Sequence, residues 1–184
     1  MNFNLTEMTF AVQGGGFYFN GRRVFLNSGE IHYFRIKREL WEEHLRAAAD
    51  AGLTTVSTYV PWAWHEEQES VFDFDGRTCP ERDLIGWMQL CKAYGLNCIV
   101  KPGPFILAEF RGAGLPDWFL DRYSPEVRMH NSKGEPVQSD GVSLFNEDYL
   151  EKVGRKEEEL TFVPDRDNII PVLDDEWFPD DIVE

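Results

Sequence analysis

Runs of strand length alternate in this chain with longer segments of helical periodicity, and that alternation leaves few architectures open. Residues 28–34, 54–60, 96–100 and 168–173 read as strands. Between the first two, Leu40, Trp41, His44, Leu45, Ala48 and Ala49 recur at helical spacing over residues 38–51, and Gly52 stops the run. Leu84, Trp87, Met88, Leu90 and Cys91 form the inner stripe of a second helix over 82–94, ended by Gly95. Asn146 is placed to cap a third helix over 147–161, and residues 115–120 suggest a short helical turn. Strand–helix–strand order with crossovers of this length predicts parallel pairing. The expected fold class is α/β, as an open doubly wound sheet or a (β/α)8 TIM-type barrel.

Two features favour the barrel. The first strand–helix junction lacks the GxGxxG pattern of a dinucleotide fold. Polar and aromatic residues instead collect where strands end: Glu30, His32 and Tyr33, then Tyr59, Trp62, Trp64, His65 and Glu66, then Glu109. A barrel builds its active site on that rim. Only four strands are legible, whereas a full barrel takes about 250 residues. The reading is therefore the N-terminal half of a barrel. Asn20-Gly21 between two apolar runs predicts a β-hairpin before it. This divides the chain into a hairpin segment, 1–25, and a half-barrel, 26–184, with an acidic tail over 174–184. Residues 123–141 read as a long surface loop.

With 18 basic and 33 acidic side chains the net charge is −15. Such a field repels nucleic acid and anionic membrane surfaces, so neither is an expected partner, and a neutral or cationic ligand is favoured. Three cysteines, Cys79, Cys91 and Cys98, have no metal or CxxC spacing and read as free thiols. No leader or spanning run is visible, so a cytoplasmic location is expected. His32 and His65 lie near Glu30 and Glu66 without an HxH or HExxH arrangement. They read as satisfied buried histidines, and no metal or other cofactor is expected.

After the third strand, residues 102–116 read PGPFILAEFRGAGLP. A loop of Gly and Pro takes its shape from turn chemistry and from what packs around it. Glu109 sits amid Phe105, Ile106, Leu107 and Phe110, so its charge is expected against apolar surface. A carboxylate held there needs a partner, and sugar hydroxyls are one kind. The bland alternative is a carboxylate pinning the loop through backbone N–H groups.

The blocks SGEIHYFR (28–35), YVPWAWHE (59–66), PGPFILAE (102–109) and GLP (114–116) resemble, in order and with similar gaps, glycoside hydrolase family 35 β-galactosidases. The resemblance covers about residues 15–150. It implies a (β/α)8 barrel that hydrolyses terminal β-D-galactosides by double displacement, with two glutamates as the catalytic pair. By the same resemblance Tyr33 contacts the sugar, and Ala108 and Glu109 hold its hydroxyls. Glu176 is similar in position to the acid/base glutamate, although its strand carries Pro171, looks one residue short and has Asp175 where asparagine is commoner. Phe105, Leu107, Lys101 and Ala63 depart from the family's tyrosine, cysteine, arginine and asparagine. Nothing matches the nucleophile, so a fragment is expected whose open edges invite self-association or a missing C-terminal half. The alternatives are a non-catalytic carbohydrate-binding remnant and a β-glycosidase of other sugar specificity. For Tyr33 the bland reading is a core tyrosine; Trp62, Trp64 and Phe110 likewise read as core.

Overall fold

The computed structural model describes residues 10–106, 108–123, 127–135, 137, 142–143, 145–161 and 169–171. Near the N-terminus, β1 (Phe10–Gln13), β2 (Gly16–Phe19) and β3 (Arg22–Val24) form an antiparallel sheet in that order. The hairpin expected there gains a third strand. Its tight turn is the predicted one: Asn20 and Gly21 both have positive φ, 49° and 73°, as a two-residue turn between twisted strands requires.

The second sheet is parallel, with β4 (Ser28–Glu30), β5 (Thr55–Tyr59), β6 (Asn97–Lys101) and β7 (Ile169–Pro171) in sequence order. Doubly wound sheets reverse direction at a switch point. These four strands do not. The three crossovers carry α1 (Trp41–Asp50), α3 (Leu84–Ala93) and α5 (Glu147–Thr161), while α2 (Trp62–His65) and α4 (Asp117–Tyr123) are short. Right-handed crossovers stepping one way place their helices on one face of the sheet, and α1 touches α3. Pro171 lies on β7, which pairs only with β6 among the described strands, where a missing ladder donor is tolerated.

The first strand is shorter than its sequence suggests. It stops at Glu30, and Tyr33–Arg35 forms a 3-10 turn. The Trp41 indole N–H donates to the carbonyls of Tyr33 and Ile36 at 3.1 and 3.0 Å, which draws the chain into that turn.

Trp41, Leu45 and Ala48 of α1 and Leu84, Trp87, Met88 and Cys91 of α3 pack with Val56 and Cys98 of the sheet into one core. Each large side chain so buried contributes about 1.5–3 kcal/mol. Leu40 and His44, counted in the α1 stripe, stay at the surface. A second core of Trp62, Leu115, Phe119, Val127, Val142 and Tyr149 seats α4 and α5 beside the loop after β6. Cys79, Cys91 and Cys98 are unbridged. Among the described residues no helix is long and apolar enough to cross a membrane.

Side chains set the starts of α5 and α3, whereas α1 begins without a side-chain cap. Asn146 Oδ1 accepts from the Tyr149 N–H at 2.9 Å, the cap expected for α5. Asp83 Oδ1 accepts from the Gly86 N–H at 2.8 Å at the start of α3. A Cβ on Gly86 would lie 2.6 Å from Asp83 Cγ, so only glycine leaves this cap in place. Gly86→Ala is expected to lower stability by about 1–2 kcal/mol, the worth of an N-cap, in urea unfolding. An unchanged midpoint would contradict the cap.

Candidate functional site

Side chains alternate across a strand, so residues two apart share a face. Val56 and Cys98 face the helices and complete their core. Ser57 and Tyr59 take the other face, with their register partners Glu30 and Lys101. At the C-terminal rim these partners meet. Lys101 Nζ lies 3.3 Å from Glu30 Oε2 and 3.6 Å above the centre of the Tyr59 ring. His32 Nε2 stands 3.1 Å from Glu30 Oε1, and the Ser57 hydroxyl donates to Glu30 Oε2 at 3.5 Å. The His32 ring stacks on Phe34 with centroids 5.1 Å apart. Burial lowers the His32 pKa, with Glu30 working against that shift.

The turn after β4 and the loop after β6 are clasped together. Arg35 donates to the Ala108 carbonyl, and its Nη1 lies 3.6 Å from Glu109 Oε2. Phe34 meets Phe110 edge-on at 5.5 Å. Within the loop the Ile106 N–H donates to the Ala113 carbonyl at 2.8 Å. Gly114, at φ +81°, has no room for a side chain, since a Cβ would meet Ile106 Cγ1 at 2.6 Å.

Glu109 is placed otherwise than its neighbours in sequence suggest. Its side chain is 91% exposed, with Arg35 as its ion partner. Its backbone has φ +44°, which is uncommon outside glycine and costs about 1–3 kcal/mol. Phe110 is the residue that turns inward, so the carboxylate is presented to solvent and not held against apolar surface. Strain at a presented carboxylate marks the position as one held by its surroundings.

Tyr33 lies beneath this surface. It is fully buried, packed on Trp41 and Trp87, and its hydroxyl lies 2.5 Å from His65 Nε2. The structure does not bring its side chain beside Glu109. It joins Arg35 and Phe34, its chain neighbours, to Ala108–Phe110 instead. Glu176 lies outside the described residues. Sequence reasoning missed Ser57, Lys101 and Arg35 as members of the rim. The first two could have been found from the period-2 pattern of their strands.

His65 is the satisfied buried histidine expected. The Asp73 carbonyl, 2.5 Å from Nδ1, can only accept, so Nδ1 carries the proton. Nε2 then accepts from the Tyr33 hydroxyl. Burial pushes the His65 pKa down to about 3 and raises that of Tyr33. Burial also raises the pKa of Glu66, partly offset by hydrogen bonds from the Trp62 indole and the Ser70 N–H. Burial disfavours ionised Asp73, but donors from Thr78 and Arg77 outweigh it and hold that carboxyl below its usual range. Among the described residues no cluster of three His, Cys, Asp or Glu side chains could hold a metal ion.

Residues 16–136 match the family model for glycosyl hydrolases family 35. The chain is 48% identical over 132 residues to a β-1,2-glucosyltransferase of Ignavibacterium album, covering 72% of this chain and 18% of that protein. It is 40% identical over 141 residues to an exo-β-D-glucosaminidase of Pyrococcus horikoshii, covering 75% and 18%. To a β-galactosidase of Mus musculus it is 39% identical over 128 residues, covering 68% and 19%. The crystal structure of a β-galactosidase from the psychrophilic Marinomonas ef1 shares the fold, with TM-score 0.57 and 14% identity over 72% of this chain and 18% of that one. The chain thus spans less than a fifth of the length of these relatives.

The buried neutral His65 makes stability depend on pH. Its folded pKa lies below the unfolded value, so its contribution is complete above about pH 6.5 and is lost as pH falls toward about 3. Between pH 6.5 and 4.5 the slope approaches about 1.4 kcal/mol per unit. His65→Gln should remove most of that slope in urea unfolding. Equal slopes for the two proteins would refute it.

Proposed function

The chain belongs to glycosyl hydrolases family 35, and from that premise we propose that it supplies the sugar-binding part of a retaining β-glycosidase site. The observation that carries this reading is the clasp between Arg35 and the Ala108–Glu109 pair beside a polar strand rim. Ala108 and Glu109 hold the sugar's hydroxyls: an exposed carboxylate on a strained backbone accepts hydrogen bonds from a ligand without first breaking a tight ion pair. Tyr33, bonded to His65, serves the site from beneath by holding the turn that carries Arg35.

Retaining hydrolysis needs two carboxyl groups about 5–5.5 Å apart. In this reading Glu176 protonates the glycosidic oxygen as a second carboxylate attacks the anomeric carbon. It then takes the proton from the water that releases the sugar. No position of this chain resembles the family's nucleophile, so that carboxylate is contributed by further polypeptide. The same polypeptide completes the eight-stranded barrel beside the edges of β4 and β7. This chain alone then binds but does not turn over.

The substrate favoured by the family resemblance is a terminal β-galactoside. A second reading, a β-glucoside or β-glucosaminide, is supported by Phe105 and Leu107, which depart from the galactosidase pattern. The similarity to proteins named for glucosyl transfer and glucosaminide cleavage supports it too. Calorimetric titration with galactose and with glucosamine distinguishes them. Saturable binding of galactose is expected, weakened roughly tenfold or more in Glu109→Gln, the worth of a hydrogen bond to a charged group. Absence of binding to either sugar overturns the assignment. Release of aryl alcohol from an aryl β-galactoside by this chain alone overturns the need for a second carboxylate.

A further inference from the structure

The loop that carries Ala108 and Glu109 leaves β6 at Pro102 and has no ladder or long helix of its own. Two cations hold its carbonyls. Arg35 takes the far side, at Ala108, and is partly exposed. The near side is taken by Lys156, from the middle of α5, which donates to the Pro102 carbonyl across 54 residues of sequence. Lys156 is 1% exposed. Its Nζ lies 3.7 Å from the position a Cβ on Gly103 would take. The ammonium is also close enough to His65 to oppose protonation of that ring. It therefore stands where the end of β6, the segment after β5 and α5 converge.

An ammonium group is costly to bury unless it is hydrogen-bonded, and an apolar side chain of similar volume fills such space at no such cost. The bond to the Pro102 carbonyl is one that only a donor side chain can make at this position. We propose that Lys156 is a positioning residue for the sugar site. By fixing the Pro102 carbonyl it sets the direction in which the chain leaves β6, and so where Ala108 and Glu109 stand. Arg35 and Phe34 hold the loop at Ala108–Phe110, and a fixed point at its start sets its direction. The Ile106–Ala113 hydrogen bond then closes the inner turn between the two anchors. This role rests on the sugar-binding reading of Glu109, but the clamp itself is read out separately.

Lys156→Met keeps the volume and removes the donor. Hydrogen exchange at the Ile106 amide should quicken about tenfold, while the amides of β5 exchange as in the parent. Galactose affinity should fall about tenfold, the worth of a charge-assisted hydrogen bond. Lys156→Arg, which keeps a donor, should restore both readouts to within about threefold. Should Lys156→Met fail to fold, Gly103→Ala disturbs the same joint. The new Cβ sits at φ +76° and meets Ile106 Cγ2 at 3.2 Å, so the same local exchange and affinity losses are expected. Unchanged Ile106 exchange and affinity in the variant that folds would overturn the proposal. Equal quickening at β5 would overturn it as well, because that marks general loss of stability. A parent chain that binds no sugar sinks the reading of Glu109 instead, and Ile106 exchange still decides whether Lys156 holds the loop.

Discussion

Everything at the rim depends on parallel pairing in unbroken sequence order. Because β4, β5, β6 and β7 step one way, right-handed crossovers between them pass over the same face. The face under α1 and α3 takes Val56 and Cys98. The opposite face takes Ser57, Tyr59 and Lys101 with Glu30, and the loops that follow β4, β5 and β6 leave from one end. A reversal in strand order would carry the next helix to the opposite face of the sheet. The rim is a consequence of topology before it is a consequence of any side chain.

Beneath the rim, a line of buried polar contacts joins segments that the sheet does not connect. The Tyr33 hydroxyl donates to His65, His65 donates to the Asp73 carbonyl, and the Asp73 carboxylate gathers N–H groups from Asp75, Arg77 and Thr78. Each member is satisfied, so the line stiffens the aromatic core in place of weakening it. It also spans the distance between the turn after β4 and the segment after β5. With Arg35 and Lys156 reaching the loop after β6, polar groups bind three strand ends to one another.

The regular elements were largely legible. The α5 bounds, its Asn146 cap, the Asn20-Gly21 turn and the strand β5 all follow from local rules, and the structure has them where those rules put them. The errors have one cause. Residues 31–34 look like strand, yet the Trp41 indole competes for the Tyr33 carbonyl and a turn results. Glu109 looks buried because its neighbours are apolar, yet a left-handed backbone presents it to solvent. Tyr33 reads equally as a core tyrosine, and its side chain lies against Trp41, Trp87 and His65. In each case the deciding partner is remote or the deciding angle is one that composition does not reveal.

From the order of its residues alone the chain determined its α/β alternation, its helix stops and caps, and the blocks that mark its family, because these rest on periodicity and on contacts a few residues long. Tertiary structure alone decided which side chains share the rim. Lys101 meets Glu30 across 71 residues and Lys156 meets Pro102 across 54, and no local rule spans such separations. Pairing register and burial bring those charges together, and both are properties of the folded whole.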